Sequence, residues 1–83
     1  MRKILSQKQL DNLIRNMEGA MLECFVKRPS GSMSPLSINI IDDDLYIVIW
    51  ELNDEQVIVP HDELMNYLPI GDAIKEGTFY TYW

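Results

Sequence analysis

Apolar residues near the start of the chain recur at the spacing of an amphipathic helix. They fall three or four positions apart, at Leu10, Leu13, Ile14 and Met17. Ser6 and Gln9 match a capping box, in which each side chain satisfies a free backbone group at the start of a helix. Gly19 is a residue type at which helices commonly end. This pattern predicts a helix that begins after Ser6 and ends near Gly19.

Residues 20–28 fit two patterns. As a continued helix, Met21 and Cys24 extend the apolar stripe. As a strand, Leu22, Cys24 and Val26 share one face while their neighbours point the other way. The strand is favoured because Gly19 weakens a helix at this point.

Strand patterns dominate the middle of the chain. Three strands are predicted over 36–42, 45–52 and 56–59, with turns at 42–44 and 53–55 and a flexible loop at 29–35. The segment 45–52 is apolar on both faces, which is typical of a strand buried on both sides. The first helix is expected to cover one face of the sheet. The other face contains Tyr46, Val48 and Trp50, and we expect residues 61–83, in preference to a partner protein, to cover it.

The C-terminal part contains two short helical patterns and a final aromatic strand. Residues 61–68 form the first, ended by Pro69, and the second runs from Asp72 as N-cap to Gly77. Residues 78–83 form the strand. We therefore predict one α+β domain over residues 1–83, with a helix packed on a mostly antiparallel sheet in the order α-β-β-β-β-α-β.

Composition and size agree with a single globular domain. The chain has 83 residues, 47% hydrophobic and 24% charged, which are ordinary globular values and argue against disorder. The longest apolar run, at 45–50, is too short to span a membrane, and no apolar core of a signal peptide follows the first basic residues. Cys24 is the only cysteine, so an internal disulfide is excluded. We expect a cytoplasmic protein with no membrane contact.

The net charge of −6 hides a strong asymmetry along the chain. Residues 1–28 hold six basic and three acidic residues, a balance of +3. Residues 29–83 hold one basic and ten acidic residues, a balance of −9. Because nucleic-acid binding needs a broad basic surface, this acidity argues against direct contact with nucleic acid.

Acidic residues at the turns are the candidate partner-binding residues. An antiparallel meander places one group, Asp42, Asp43, Asp44, Asp62 and Glu63, at one end of the sheet and a second group, Asp54 and Glu55, at the other. The simpler interpretation is that turns and helix starts favour such residues. The functional interpretation is an anionic surface that attracts a basic protein site.

Aromatic residues crowd the C-terminus. Alternation places Phe79, Thr81 and Trp83 on one face of the final strand, and Tyr80 and Tyr82 on the other. A strand that closes the core is favoured. The alternative, kept in the set of candidate partner-binding residues, is that Tyr80, Tyr82 and Trp83 contribute to an interface.

The sequence gives little support for catalysis or for metal binding. Nothing in the sequence brings Cys24 and His61 together, and they are interpreted as a core residue and an exposed residue at a helix start. Asp42 and Asp44 resemble the start of a calcium loop, but Ile47 stands where that loop needs glycine. We expect no catalytic residue, no bound metal and no cofactor.

These observations favour a non-enzymatic, acidic protein-binding module. The leading hypothesis is an inhibitor that occupies a basic site on a nucleic-acid-handling partner, as phage anti-defence and toxin-neutralising proteins do. The alternative is a homo-oligomeric structural or accessory subunit, built through the second apolar sheet face and the final strand, whose acids serve solubility.

Overall fold

The computed structural model describes residues 1–16, 21–42 and 45–82. It contains six strands, β1 (Arg2–Ile4), β2 (Leu22–Lys27), β3 (Met33–Asp42), β4 (Leu45–Trp50), β5 (Glu55–Pro60) and β6 (Phe79–Thr81). It also contains the helices α1 (Gln7–Arg15) and α2 (Leu68–Glu76) and a 3₁₀ helix, His61–Asn66. The strands form one sheet in the order β1-β6-β2-β3-β4-β5, and every neighbouring pair is antiparallel. The predicted α+β architecture is confirmed.

The structure adds a strand before the first helix. β1 pairs with β6, so that Lys3 lies opposite Tyr80 and Ile4 opposite Phe79. A strand of three residues with two basic side chains shows no apolar alternation, and its partner comes from the other end of the chain. The sequence pattern therefore could not reveal it.

The capping box at the start of α1 is confirmed. The Gln9 amide donates to the Ser6 hydroxyl over 3.2 Å, and the Gln9 side chain accepts from the amide of Leu5 over 2.7 Å. The helix ends at Arg15, with Asn16 as its C-cap, which is earlier than predicted. Gly19, the predicted end, lies outside the described residues.

Strand β2 follows the favoured interpretation of residues 20–28, whereas the predicted loop at 29–35 is too long. Strand β3 already begins at Met33, opposite Lys27. The hairpin closes early because the Arg28 amide donates to the carbonyl of Ser32 over 2.8 Å. Gly31, at a φ of 89°, adopts the left-handed backbone that this tight turn needs.

The C-terminal helices are confirmed, but their boundary is different. Pro69 lies in the first turn of α2, where a missing amide proton costs nothing, and so it does not end the preceding helix. The N-cap of α2 is Tyr67, and Asp72 is an internal residue of the helix. Gly77 ends α2 at a φ of 72°, as predicted.

All three helices pack on the same face of the sheet. This face carries Tyr46, Val48 and Trp50, and it forms one core with Leu10 of α1 and Ile74 of α2. Residues 61–83 cover this face, as expected, but α1 lies on it as well, so the expectation that the helices would cover opposite faces is wrong. On the other face, no described helix or strand covers the alternate residues of the six strands, and we call this the open face.

Candidate functional site

Acidic side chains surround β5, the strand at one edge of the sheet. At one end, Asp42 lies opposite Leu45, which lies opposite Pro60 at the end of β5, so the 3₁₀ helix starts beside Asp42. At the other end, Glu55 lies opposite Trp50 across the β4–β5 turn. We call the exposed acids at these two ends the acidic rim: Asp42, Glu51, Asp54, Glu55, Asp62 and Glu63.

The two ends match the grouping predicted for the acids. Asp42 lies at the same end as Asp62 and Glu63, and Asp54 lies with Glu55 at the opposite end. Asp43 and Asp44, also predicted for the first group, lie outside the described residues. Glu51, which is outside the predicted partner-binding residues, lies at the second end, where its amide donates to the Pro35 carbonyl.

The acidic rim has no cationic partner within the described part of the chain. There, the only ion pair joins His61 and Asp11, and neither residue belongs to the rim. Residues 29–74 contain no lysine or arginine. Six carboxylates are therefore exposed around one strand without an ion-pair partner in the described structure, which favours a negative potential at this edge of the sheet.

Arg28 lies near the acidic turn but is held by other groups. Its guanidinium carbon lies 5.5 Å from the centre of the Trp50 ring, and its Nε donates to the Ser34 hydroxyl over 2.9 Å. The Trp50 indole N–H in turn donates to the Tyr67 hydroxyl over 2.6 Å. These contacts join β2, β4 and the start of α2, which gives Arg28 a structural role in fixing this end of the sheet.

The C-terminal aromatics divide between the two faces of the sheet. Phe79 is fully buried in the core, as expected for a strand that closes it. Tyr80 and Tyr82 lie on the open face, where Tyr82 is 64% exposed and packs edge-on against Phe25 at 5.0 Å between ring centres. Trp83 lies outside the described residues. The strand therefore closes the core and also presents two tyrosines to a second surface.

A polar cluster joins α1 to the end of the sheet where β4 begins and β5 ends. One carboxylate oxygen of Asp11 accepts from the Tyr46 hydroxyl over 2.8 Å, and the other lies 2.7 Å from His61 Nε2. The Gln7 side chain donates to the His61 carbonyl over 2.9 Å. His61 is thus a partly buried tether for α1, in contrast to the exposed residue expected from the sequence.

Tyr46 makes the folded state sensitive to alkaline pH. Burial raises the pKa of Tyr46 above its ordinary value of about 10, and the hydrogen bond to the Asp11 carboxylate raises it further. The folded protein therefore keeps this proton at a pH where the unfolded chain releases it. The stability that the proton provides is complete below about pH 10 and is lost as the pH rises above it.

We expect urea unfolding to show this loss. The free energy of unfolding of the wild type should fall between about pH 9 and pH 11, and that of Tyr46→Phe should fall less over the same interval because the titrating hydroxyl is absent. Equal slopes for both proteins would contradict the assignment.

Cys24 and His61 lie too far apart to act together. Cys24 lies opposite Leu36, which lies opposite Trp50, whereas His61 follows Pro60, opposite Leu45. Strand spacing and rise place them at least about 15 Å apart, beyond reach even through a water molecule. Burial, and then the charge of Glu23, raises the pKa of the Cys24 thiol. Cys24 is therefore an inert core residue, as expected.

Two other features are absent from residues 1–16, 21–42 and 45–82. Within these ranges, no three His, Cys, Asp or Glu side chains come together as a group that could hold a metal ion. Among the same residues, no helix has the length and apolarity needed to cross a membrane.

No protein-family model, curated protein or solved structure shows significant similarity to this chain.

Proposed function

We propose that the protein is a non-enzymatic binding module whose acidic rim occupies a basic site on a partner protein. The observation that carries this proposal is that the exposed carboxylates of the acidic rim have no lysine or arginine partner within the described structure. Surface charge of one sign raises the rate at which an oppositely charged partner is captured, and it disfavours partners of the same sign.

The spacing of the acidic rim indicates an extended basic surface. Its two groups lie at opposite ends of β5, a strand of six residues, and are therefore about 17 Å apart. A single small basic pocket cannot contact both groups. A groove that binds the regularly spaced phosphates of a nucleic acid can, because it presents basic residues along its length.

The narrower proposal is that the partner handles nucleic acid and that the protein inhibits it. Carboxylates at the two ends of β5 would then take the positions of phosphates in the partner's groove. Inhibitors among phage anti-defence and toxin-neutralising proteins can work in this way, and the relation to them is one of physical principle. An acidic chain of this kind has no need of direct contact with nucleic acid.

Comparative capture from an extract of the source cells tests this function. Two bait variants change the net charge equally, from −6 to −4, since each neutralises two acids. The rim variant carries Asp54→Asn and Glu63→Gln, one at each end of β5. The control variant carries Asp72→Asn and Glu76→Gln, both exposed on α2 and outside the acidic rim. Asparagine suits position 54, where φ is 54°.

We expect the wild type and the control variant to retain the same basic protein. The rim variant should retain at least about threefold less of it, because neutralising acids at an interface slows association. Equal retention by the two variants, or a retained set with no basic protein, would contradict the proposal.

A further inference from the structure

The open face of the sheet is largely apolar. Strand alternation and register place six apolar residues there, with the polar Ser37 and Asn39 of β3 between them: Phe25, Pro35, Ile47, Ile49, Ile58 and Tyr80. Ile58 is 64% exposed, and the other five are half-buried by their neighbours within the sheet. An antiparallel sheet with one face in water normally carries polar residues on that face. An apolar face of this extent is typical of an interaction surface.

Charges at the two ends of one row across this face are opposite. The row runs from Lys3 on β1 through Tyr80 and Phe25 to Pro35 on β3. It continues to Glu51, whose amide donates to the Pro35 carbonyl over 3.2 Å. A basic residue thus lies at one end of the row and an acidic residue at the other, with apolar side chains between them. Lys3 and Glu51 are both exposed.

We propose that a second copy of this chain covers the open face, related by a two-fold axis parallel to the strands. This axis places β1 of each copy over β5 of the other and keeps the rows in register. Lys3 of each copy then lies over the end of β5 in the second copy, about one strand spacing from Glu51, so the symmetric contact brings together two pairs of opposite charges around an apolar centre. Packing at the distance of a β-sandwich, about 10 Å between sheets, brings the apolar side chains into contact.

Other symmetric arrangements of two copies bring acidic residues towards each other and are therefore less favourable. An axis across the strands would place the acidic β4–β5 halves of the two copies on each other. Pairing of two β5 edges in an antiparallel ladder would bring Glu55 of one copy towards Asp62 of the other, so the acidic rim itself opposes it. A face-to-face contact leaves most of the acidic rim at the outer edges of the dimer.

The size of the face sets the strength of the dimer. Six strands and about five residues along each give about 500 Å² in each copy, or about 1,000 Å² in total. Specific interfaces begin at this size, and the smallest of them are weak and reversible. We therefore expect a dissociation constant between about 10 and 100 μM.

Sedimentation equilibrium over a concentration series tests the proposal. The average mass of the wild type should rise from that of one chain towards that of two between about 1 and 500 μM. Lys3→Glu and Glu51→Lys should each weaken the dimer about tenfold, since the symmetry turns two attractions into two repulsions. The combined variant restores opposite charges, and its dissociation constant should return to within about threefold of the wild-type value.

A second variant tests the apolar centre. Ile49→Asp should keep the protein monomeric at every concentration, with circular dichroism used to show that it remains folded. A wild type that stays monomeric throughout would overturn the proposal. So would a dimer that all three single changes leave intact, or a monomer that binds a labelled oligo-dT strand through Tyr80 and Tyr82. The acidic rim can fail its capture test while this dimer stands, and the reverse also holds.

Discussion

Replacing Phe79 by alanine should lower the free energy of unfolding by about 4 kcal/mol. The Phe79 side chain is fully buried, and its strand lies between Ile4 on β1 and Val26 on β2. Truncation removes apolar burial and leaves a cavity at the point where the first and last strands of the chain join the sheet. A domain of this length has a total stability of about 4–12 kcal/mol, so the variant should be close to unfolding.

Tyr82 provides the matched comparison, because it lies three residues after Phe79 and therefore on the open face. It is 64% exposed, with one edge-on contact to Phe25. Tyr82→Ala should therefore cost less than about 1 kcal/mol. Urea unfolding followed by circular dichroism measures both variants. Similar losses at the two positions would show that the final strand does not divide its aromatics between core and surface.

Replacing Gly71 by alanine should destabilise the protein by about 3 kcal/mol, although alanine is normally the better helix former by about 1 kcal/mol. Gly71 lies in α2, and its amide donates to the Tyr67 carbonyl over 2.9 Å. A Cβ atom here would collide with the carbonyl oxygen of Met65 and lie 2.8 Å from its carbonyl carbon. Because the obstacle is backbone, the 3₁₀ helix and α2 would have to move apart.

Gly31 gives the control for a change from glycine to alanine. A Cβ at this position meets no atom within 4 Å, but its φ of 89° is strained for alanine. Gly31→Ala should therefore cost about 1–2 kcal/mol, from backbone strain alone. A thermal melt of both variants separates the two effects. A Gly71→Ala protein as stable as the wild type would show that the two helices are not packed backbone to backbone.

Local patterns in the sequence predicted most of the secondary structure. The alternation of Leu22, Cys24 and Val26 indicated β2, and the Ser6–Gln9 pair located the start of α1. The face covered by the helices could not be predicted in the same way. Strand β4 is apolar on both sides, so the same pattern is compatible with helices on either face, and only packing of the whole chain decides between them.

The same distinction between local and long-range structure applies to the candidate site. Acidic residues at turns, such as Asp54 and Glu55, could be predicted to lie together because a turn is a local structure. The tether between Asp11 and His61 could not be predicted, because it joins residues 50 positions apart in the sequence. The open face was missed for a related reason: it exists only because all the helices lie on one side.

The two proposed surfaces are compatible with each other. A second copy on the open face would bury the apolar rows and leave Asp54, Asp62 and Glu63 exposed at the edges of the pair. Each dimer would then present two acidic rims. Two such rims can engage one extended basic surface together, or two partners, which strengthens binding without any new contact.

Displacement of a labelled oligonucleotide from the captured basic partner tests the central proposal most directly. We expect the wild type to release the oligonucleotide, and the rim variant Asp54→Asn, Glu63→Gln to require at least about tenfold more protein for the same release. The control variant Asp72→Asn, Glu76→Gln should match the wild type, and added salt should weaken the competition. Simultaneous binding of the oligonucleotide and this protein to the partner would contradict the proposal.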